Sequence, residues 1–370
     1  MRHFISILII ALFCACSPNE KKTKYSVGTP TDSLEIYYAT GFKVNYFQDY
    51  KELLVFSSDR TDTLHRYYLS NKGKEGYIET PVKRLASLSS VYAAYIEELG
   101  LEKYLVAIDE KNYINSKTIL QEFEHGGIVE LGSLDKLNHE VLLMSQPDMI
   151  YSFGWQGNNT GLENKYSDIH FVYAYEYLEQ HPLGRAEWIK FFACFFDMEV
   201  QADSIFNQIK ANYEGLKNRT QKVDSRPKVL INMPFKEQWH IPGGLSYSAH
   251  FIADAGAYYP WDAFMKMNSS PLDWELVYNK AFDSDYWINT GAYSSYAEVE
   301  KELPDMSLFD AFKNKKAYNN NARVNTFGGN DYWESGLLHV DEILADLIAI
   351  FHPEILPNRD LKYYKALEDE

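Results

Sequence analysis

Two stretches of this chain, about 135 residues apart, follow the same order of residue types, and this restricts the fold more than any other feature. Asn138-His139-Glu140 leads through an apolar run to Pro147-Asp148-Met149-Ile150-Tyr151. Asp273-Trp274-Glu275 leads through Leu276-Val277-Tyr278 to Asp283-Ser284-Asp285-Tyr286-Trp287-Ile288. In each copy a residue of helix-capping type stands two places before a glutamate. The acid therefore falls in the first helical turn, where the helix dipole favours it. Each helix then runs into a strand introduced by Asp. Two matching halves predict two similar lobes, each presenting one acid at an equivalent place.

Length agrees, since 370 residues exceed one average domain. Most of the 29 Tyr, 21 Phe and 7 Trp are expected to pack a core, and the minority that stand on loops are candidates to line a ligand cleft. A net charge of −16 makes nucleic acid and anionic lipid poor partners. At the N-terminus, Arg2 and His3 precede an apolar run, Phe4 to Phe13, too short to span a bilayer as a mature helix. Ala15-Cys16 and a polar tether follow. This resembles a bacterial lipoprotein signal, with residues 1–15 removed and Cys16 lipidated as the membrane anchor, although Phe13 stands where such signals usually carry Leu. Lacking an acidic run after Cys16, the anchored protein is expected to face the periplasm. Once Cys14 leaves and Cys16 is lipidated, Cys194 alone remains, within an apolar run, so no disulfide within the chain is expected.

After the tether, 16–33, residues 34–80 alternate and are rich in Tyr, which predicts a β-rich extension packed on the first lobe; Ile36-Tyr37-Tyr38 is read as one of its strands. Residues 81–182 read as an α/β lobe. Arg84 to Leu88 is a strand, Ser89 or Ser90 caps a helix ending at Leu99-Gly100, and further strands follow at Tyr104 to Ile108 and at Phe171 to Tyr175. Residues 183–220 are helical, with Ile205, Phe206, Ile209, Tyr213 and Leu216 at helical spacing. Residues 221–370 restart with a strand from Lys228 to Met233, a loop from Pro234 to Tyr247 and a helix stopping at Gly256. The fold class is α/β: two similar lobes with mostly parallel sheets, joined by a long helix.

In this order, Arg84-Leu85-Ala86-Ser87-Leu88-Ser89, Glu98-Leu99-Gly100, Asn138-His139-Glu140, Pro147-Asp148 and His352-Pro353-Glu354 resemble the substrate-binding proteins of ABC importers for iron-siderophores and cobalamin. The likeness spans roughly residues 82–356, and the extension is similar to one seen in Bacteroidetes-type members. The resemblance implies a connecting helix at about Glu199 to Thr220 and a monomer that holds a metal chelate between its lobes. It further implies delivery to a permease, and through it an ATPase, with Glu140 and Glu275 docking against basic permease residues.

Ligands of paired α/β lobes gather at loops leaving the carboxyl ends of strands. Those loops nominate Ser89, Tyr92, Trp155, Trp239, Tyr247, Tyr332 and Trp333 as ligand contacts. The histidines show no close pair at metal-ligand spacing, and neither a G-x-S-x-G elbow nor a P-loop occurs. No resident cofactor or metal is therefore expected. A haem-binding member would use Tyr92 or His240 as the axial ligand. An envelope lipoprotein hydrolase would need a nucleophile–base pair that these motifs do not supply, and an adhesion lipoprotein would work through the Tyr-rich extension.

Overall fold

The computed structural model describes residues 28–154, 161–236 and 238–369. The signal-type segment with Cys16, and Trp155, lie outside the described residues.

Asp148 and Asp285 have the same role in the two halves. Asp148 precedes the strand Met149–Phe153, and its carboxylate accepts hydrogen bonds from the backbone N–H of Lys83 and Arg84, at 3.2 and 2.9 Å. Asp285 precedes Tyr286–Ile288 and accepts from the N–H of Lys228 at 2.7 Å. Each aspartate thus pins the start of a neighbouring strand, Leu85–Ser87 in the first half and Val229–Ile231 in the second. In both halves the two strands so tied pair in parallel. The repetition in sequence is a repetition in structure.

Around the first pair the sheet runs His170–Ala174, Met149–Phe153, Leu85–Ser87, Leu105–Ile108, Val129–Glu130, all parallel. Around the second it runs Val229–Ile231, Tyr286–Ile288, Ala317–Asn319, with Lys365–Ala366 antiparallel at the edge. Leu85, Ala86, Val229, Leu230, Trp287 and Ile288 are all buried, as parallel strands covered on both faces require. Part of the expected loop from Pro234 to Tyr247 is instead a small antiparallel sheet of Pro234–Phe235, Gln238–Ile241 and Ser270–Asp273.

The connecting helix is Glu199–Thr220, 22 residues, or about 33 Å at the usual rise. Glu199 in its first turn and Lys217 and Arg219 in its last complement the dipole. Ala202, Phe206, Ile209 and Tyr213 form its buried face. The second lobe grips it through Asp254, whose carboxylate accepts from the Tyr213 hydroxyl at 2.8 Å and pairs with Lys217 at 2.8 Å.

The extension is a five-stranded sheet in sequential order, Asp32–Ser33, Phe42–Phe47, Tyr50–Phe56, Thr63–Ser70 and Ile78–Glu79, antiparallel except for the last pair. Ile36-Tyr37-Tyr38 is not one of its strands. A buried carboxylate competes successfully for that backbone: Glu187 accepts from the N–H of Tyr37, Tyr38 and Ala39 at 2.9, 2.7 and 2.9 Å. Glu179 does the same for Thr40 and Gly41, at 2.9 and 2.7 Å. The extension is thereby fastened to the helical segment as well as to the first lobe, where the Tyr67 hydroxyl accepts from the Tyr173 N–H at 2.8 Å. Cys194 is buried and its thiol donates to the Lys190 carbonyl at 3.2 Å; burial pushes its pKa up, which suits a structural role.

Candidate functional site

Three neighbouring parallel strands of the second lobe release the chain at, or one residue before, an asparagine. Asn232 follows Val229–Ile231, Asn289 follows Tyr286–Ile288 and Asn320 follows Ala317–Asn319. Asn232 and Asn289 take left-handed backbone angles, φ 63° and 58°, which Asn tolerates better than bulkier residues. Their side chains are held in place. The Asn232 amide donates to the His240 carbonyl at 3.0 Å, and Asn289 Oδ1 accepts from the Tyr364 hydroxyl at 2.9 Å. Asn330 joins the row by donating to the Asn320 carbonyl at 3.0 Å.

This row forms one wall of a cavity of about 1000 Å³ between the lobes. The first lobe contributes Tyr175, Tyr177, Glu179 and Gln180; the second adds Ser246, Tyr247, Met267 and Trp333. Arg185 braces both sides from behind, donating to the Tyr177 carbonyl at 3.1 Å while its guanidinium lies 4.5 Å from the Tyr247 ring centroid. On the first-lobe side, Tyr175 and Tyr177 close over Gly154. The Tyr177 hydroxyl donates to the Gly154 carbonyl at 2.7 Å, and a Cβ on Gly154 would stand 1.9 Å from the Tyr175 hydroxyl oxygen. Gly243-Gly244 is a close-approach site, since a Cβ on either would meet the carbonyl oxygen of Lys266 or Asp262 at 2.1 or 2.0 Å.

The chemistry of the lining is mostly neutral. Amides and hydroxyls predominate, and among the described lining residues Glu179 alone carries a full charge. Its carboxylate is already committed to Thr40, Gly41, the Trp188 indole N–H at 3.0 Å and Arg60 at 3.6 Å. The Tyr247 phenol is pushed up to about 12 by burial, with Arg185 pulling back, and burial also raises Tyr175, so both stay protonated. Among the described residues no group of three or more His, Cys, Asp or Glu could hold a metal ion.

A family model described as periplasmic binding protein matches residues 85–323, well over half of the chain. The chain belongs to that family. An uncharacterized lipoprotein of Methanocaldococcus jannaschii is 27% identical over 297 residues, covering 78% of this chain and 69% of its own. Among solved structures, a possible iron-binding, periplasmic solute-binding protein of Staphylococcus epidermidis superposes with a TM-score of 0.59 at 19% identity, over 74% of this chain and 100% of that one. A periplasmic heme binding protein of Pseudomonas aeruginosa gives 0.58 at 16% identity, over 78% and 99%. No described helix is long and apolar enough to cross a membrane.

Of the residues nominated from sequence in this binding protein, Tyr247 and Trp333 line the cavity. Four others do not. Tyr92 is 1% exposed, packs on Tyr151 and Phe192, and donates to the Ser152 carbonyl, because its helix turns that face to the core. Trp239 is 1% exposed, its indole donating to the Ile231 carbonyl at 3.0 Å beside Trp274 and Phe309. Tyr332 is buried edge-on to Trp333, Tyr363 and Tyr364, and so backs the cavity tryptophan. Ser89 is half-buried and away from the lining, and its side chain caps no helix. The axial groups suggested for haem fare likewise: Tyr92 is in the core, and His240 is exposed on Gln238–Ile241, outside the cavity lining.

Glu140 and Glu275 are both exposed in the first turns of His139–Ser145 and Trp274–Ala281. Asn138 caps its helix by accepting from the Val141 N–H at 3.2 Å, whereas Asp273 occupies the cap position without a side-chain bond. Large apolar side chains stand exposed beside each acid, Leu143 and Met144 in one lobe and Leu276 in the other.

Proposed function

We propose that this binding protein captures a metal chelate of little net charge between its lobes and hands it to an ABC permease. The observation that carries the reading is the asparagine row, Asn232, Asn289, Asn320 and Asn330, facing Tyr175 and Tyr177 across a cavity of about 1000 Å³. Fixed amides satisfy carbonyl and N–H groups of a polar ligand, and the rings supply contact area with little entropy to lose. A strongly anionic chelate would be desolvated here with no free cation from the described lining to offset it. A ferric trihydroxamate or a corrinoid suits such a lining better than a tricatecholate. Haem would need an axial donor; the Tyr175 and Tyr247 phenols are held protonated, which leaves the Met267 thioether as a donor in the lining.

In this reading Cys16 carries the lipid that keeps the protein at the membrane, on the periplasmic side. Glu140 and Glu275, one per lobe, orient the loaded protein on basic permease residues, and the ATPase behind the permease drives release. The chain acts as a monomer and makes and breaks no bond in its ligand. Titration of the purified protein with a ferric trihydroxamate, a ferric tricatecholate, aquocobalamin and haemin, followed by tryptophan fluorescence, tests the proposal. Binding of the first or third is expected. Preference for the tricatecholate or for haemin would overturn the charge argument, and silence with all four would overturn the chelate reading.

A further inference from the structure

Residues 57, 58 and 64 lie outside the stretch that the family model matches, yet Ser57, Ser58 and Leu64 line the cavity with both lobes. These residues precede the part of the chain that shows the family, so this wall comes from outside the family frame. We propose that the N-terminal sheet is a third wall of the ligand cleft and that its loop after Tyr50–Phe56, together with Leu64, selects which chelate fits. The inference rests on the chelate reading above.

The loop is built to hold a shape. The Ser57 N–H donates to the Asp62 carbonyl at 2.9 Å, the Arg60 N–H donates back to the Ser57 carbonyl at 3.0 Å, and Arg60 takes a left-handed φ of 63°. The Arg60 guanidinium then leaves the loop to meet the Thr40 hydroxyl at 2.9 Å and the Glu179 carboxylate at 3.6 Å. Glu179 itself lines the cavity, so the loop is tied to the first-lobe wall through one ion pair. The next strand supplies a second tie. His65 Nε2 lies 3.0 Å from the Tyr175 hydroxyl, so a residue of the extension orients a cavity ring of the first lobe. A preorganised surface discriminates between ligands better than one that must be ordered on binding.

Two short hydroxyls and a leucine suit the periphery of a chelate, its linker and substituents, and not its metal centre. Enlarging them should exclude ligands by size. The test compares the full chain with Ser58→Trp, Leu64→Trp and, as a control on the exposed strand Asp32–Ser33, Ser33→Trp. Calorimetric titration uses a ferric trihydroxamate, aquocobalamin and haemin. Ser58→Trp and Leu64→Trp are expected to weaken the probe preferred by the wild type by about tenfold or more, or to re-rank the three, while Ser33→Trp behaves as wild type. Ser58 is exposed at the rim, so its substitution reports even if Leu64→Trp fails to fold. Unchanged affinities in Ser58→Trp for every probe the wild type binds would overturn the third wall and leave the chelate reading standing. A wild type blind to all three and to the ferric tricatecholate as well would defeat the chelate reading, and this inference with it.

Discussion

Glu334 of the second lobe and Ser116 of the first are joined across the cleft: the Glu334 carboxylate accepts the Ser116 N–H at 2.9 Å and the neighbouring Asn115 N–H at 2.6 Å. These groups belong to the start of the helix Lys117–Glu124, so one lobe caps a helix of the other. Asn325 repeats the connection, donating to the carbonyls of Asn112 and Ile114 at 2.9 and 3.1 Å. Trp333, which lines the cavity, is the residue before Glu334. Replacing Glu334 with Ala strands the donors of Asn115 and Ser116 and should cost about 1–3 kcal/mol of stability. The same change should weaken ligand binding by freeing Trp333. Urea unfolding and a ligand titration on one preparation check both.

The same contact should leave a signature in pH. Burial pushes Glu334 up from 4.5 to about 7, and the bonds from Asn115 and Ser116 pull only partly back. Between those values the folded chain keeps a proton that the unfolded chain has released, so this group's contribution to stability falls as pH rises from about 4.5 to about 7. His65 and His181 slope the other way. Burial lowers both from 6.5 to about 4, so the unfolded chain takes up their protons first and stability is lost as pH falls through that window. The difference in urea midpoint between wild type and Glu334→Gln should therefore shift in favour of wild type on going from pH 7 to pH 5. A difference that stays constant would refute the assignment.

Glu187 should prove the anchor of the N-terminal sheet. It is fully buried, gathers three consecutive backbone N–H groups and pairs with the equally buried Lys190 at 3.1 Å. Lys190 keeps Asp203 at 2.9 Å, so the cost of Glu187→Ala falls on the three N–H donors it strands, about 1–3 kcal/mol for each that stays buried. Limited proteolysis of the variant should cut first within residues 35–41. Cleavage no faster than in wild type would mean that Glu179, together with Lys51, which pairs with Asp197 at 2.6 Å and donates to the Cys194 carbonyl at 3.0 Å, holds the sheet unaided.

The lobes were legible because their signals are local: caps, the glycines at 100 and 256, and an aspartate before a strand each act within a few residues of chain. The connecting helix was equally readable from its apolar stripe. The cavity was harder. A tryptophan among glycines reads the same whether it faces a ligand, as Trp333 does, or is covered by Trp274 and Phe309, as Trp239 is. That difference depends on neighbours 35 and 70 residues away. The sequence does carry one signal for this wall: the apolar runs ending Ile231-Asn232 and Ile288-Asn289, and then Tyr318-Asn319-Asn320, repeat an amide at strand ends. The part played by Glu179 and Glu187 was beyond any reading by periodicity, because their partners are backbone groups 139 and 150 residues earlier.

Capture and delivery should separate by mutation. Trp333 is half exposed in the cavity, backed by Tyr332, and Trp333→Ala removes a large contact surface from the ligand wall. Affinity should fall by about tenfold or more, with transport falling in step at low ligand concentration. Glu140 and Glu275 lie outside the cavity lining, exposed on separate helices beside Leu143 and Leu276. Glu140→Ala/Glu275→Ala should keep the affinity and the urea midpoint close to wild type, because each exposed acid contributes only about 0.3–1 kcal/mol to its helix. Uptake in whole cells should nevertheless drop, and should drop more for the pair than for either single change, since charge complementarity governs encounter and register with the permease. Salt should reduce uptake by the wild type more than by the double variant. If the double variant imports as fast as wild type at limiting ligand, the two acids are helix-terminal carboxylates and nothing more.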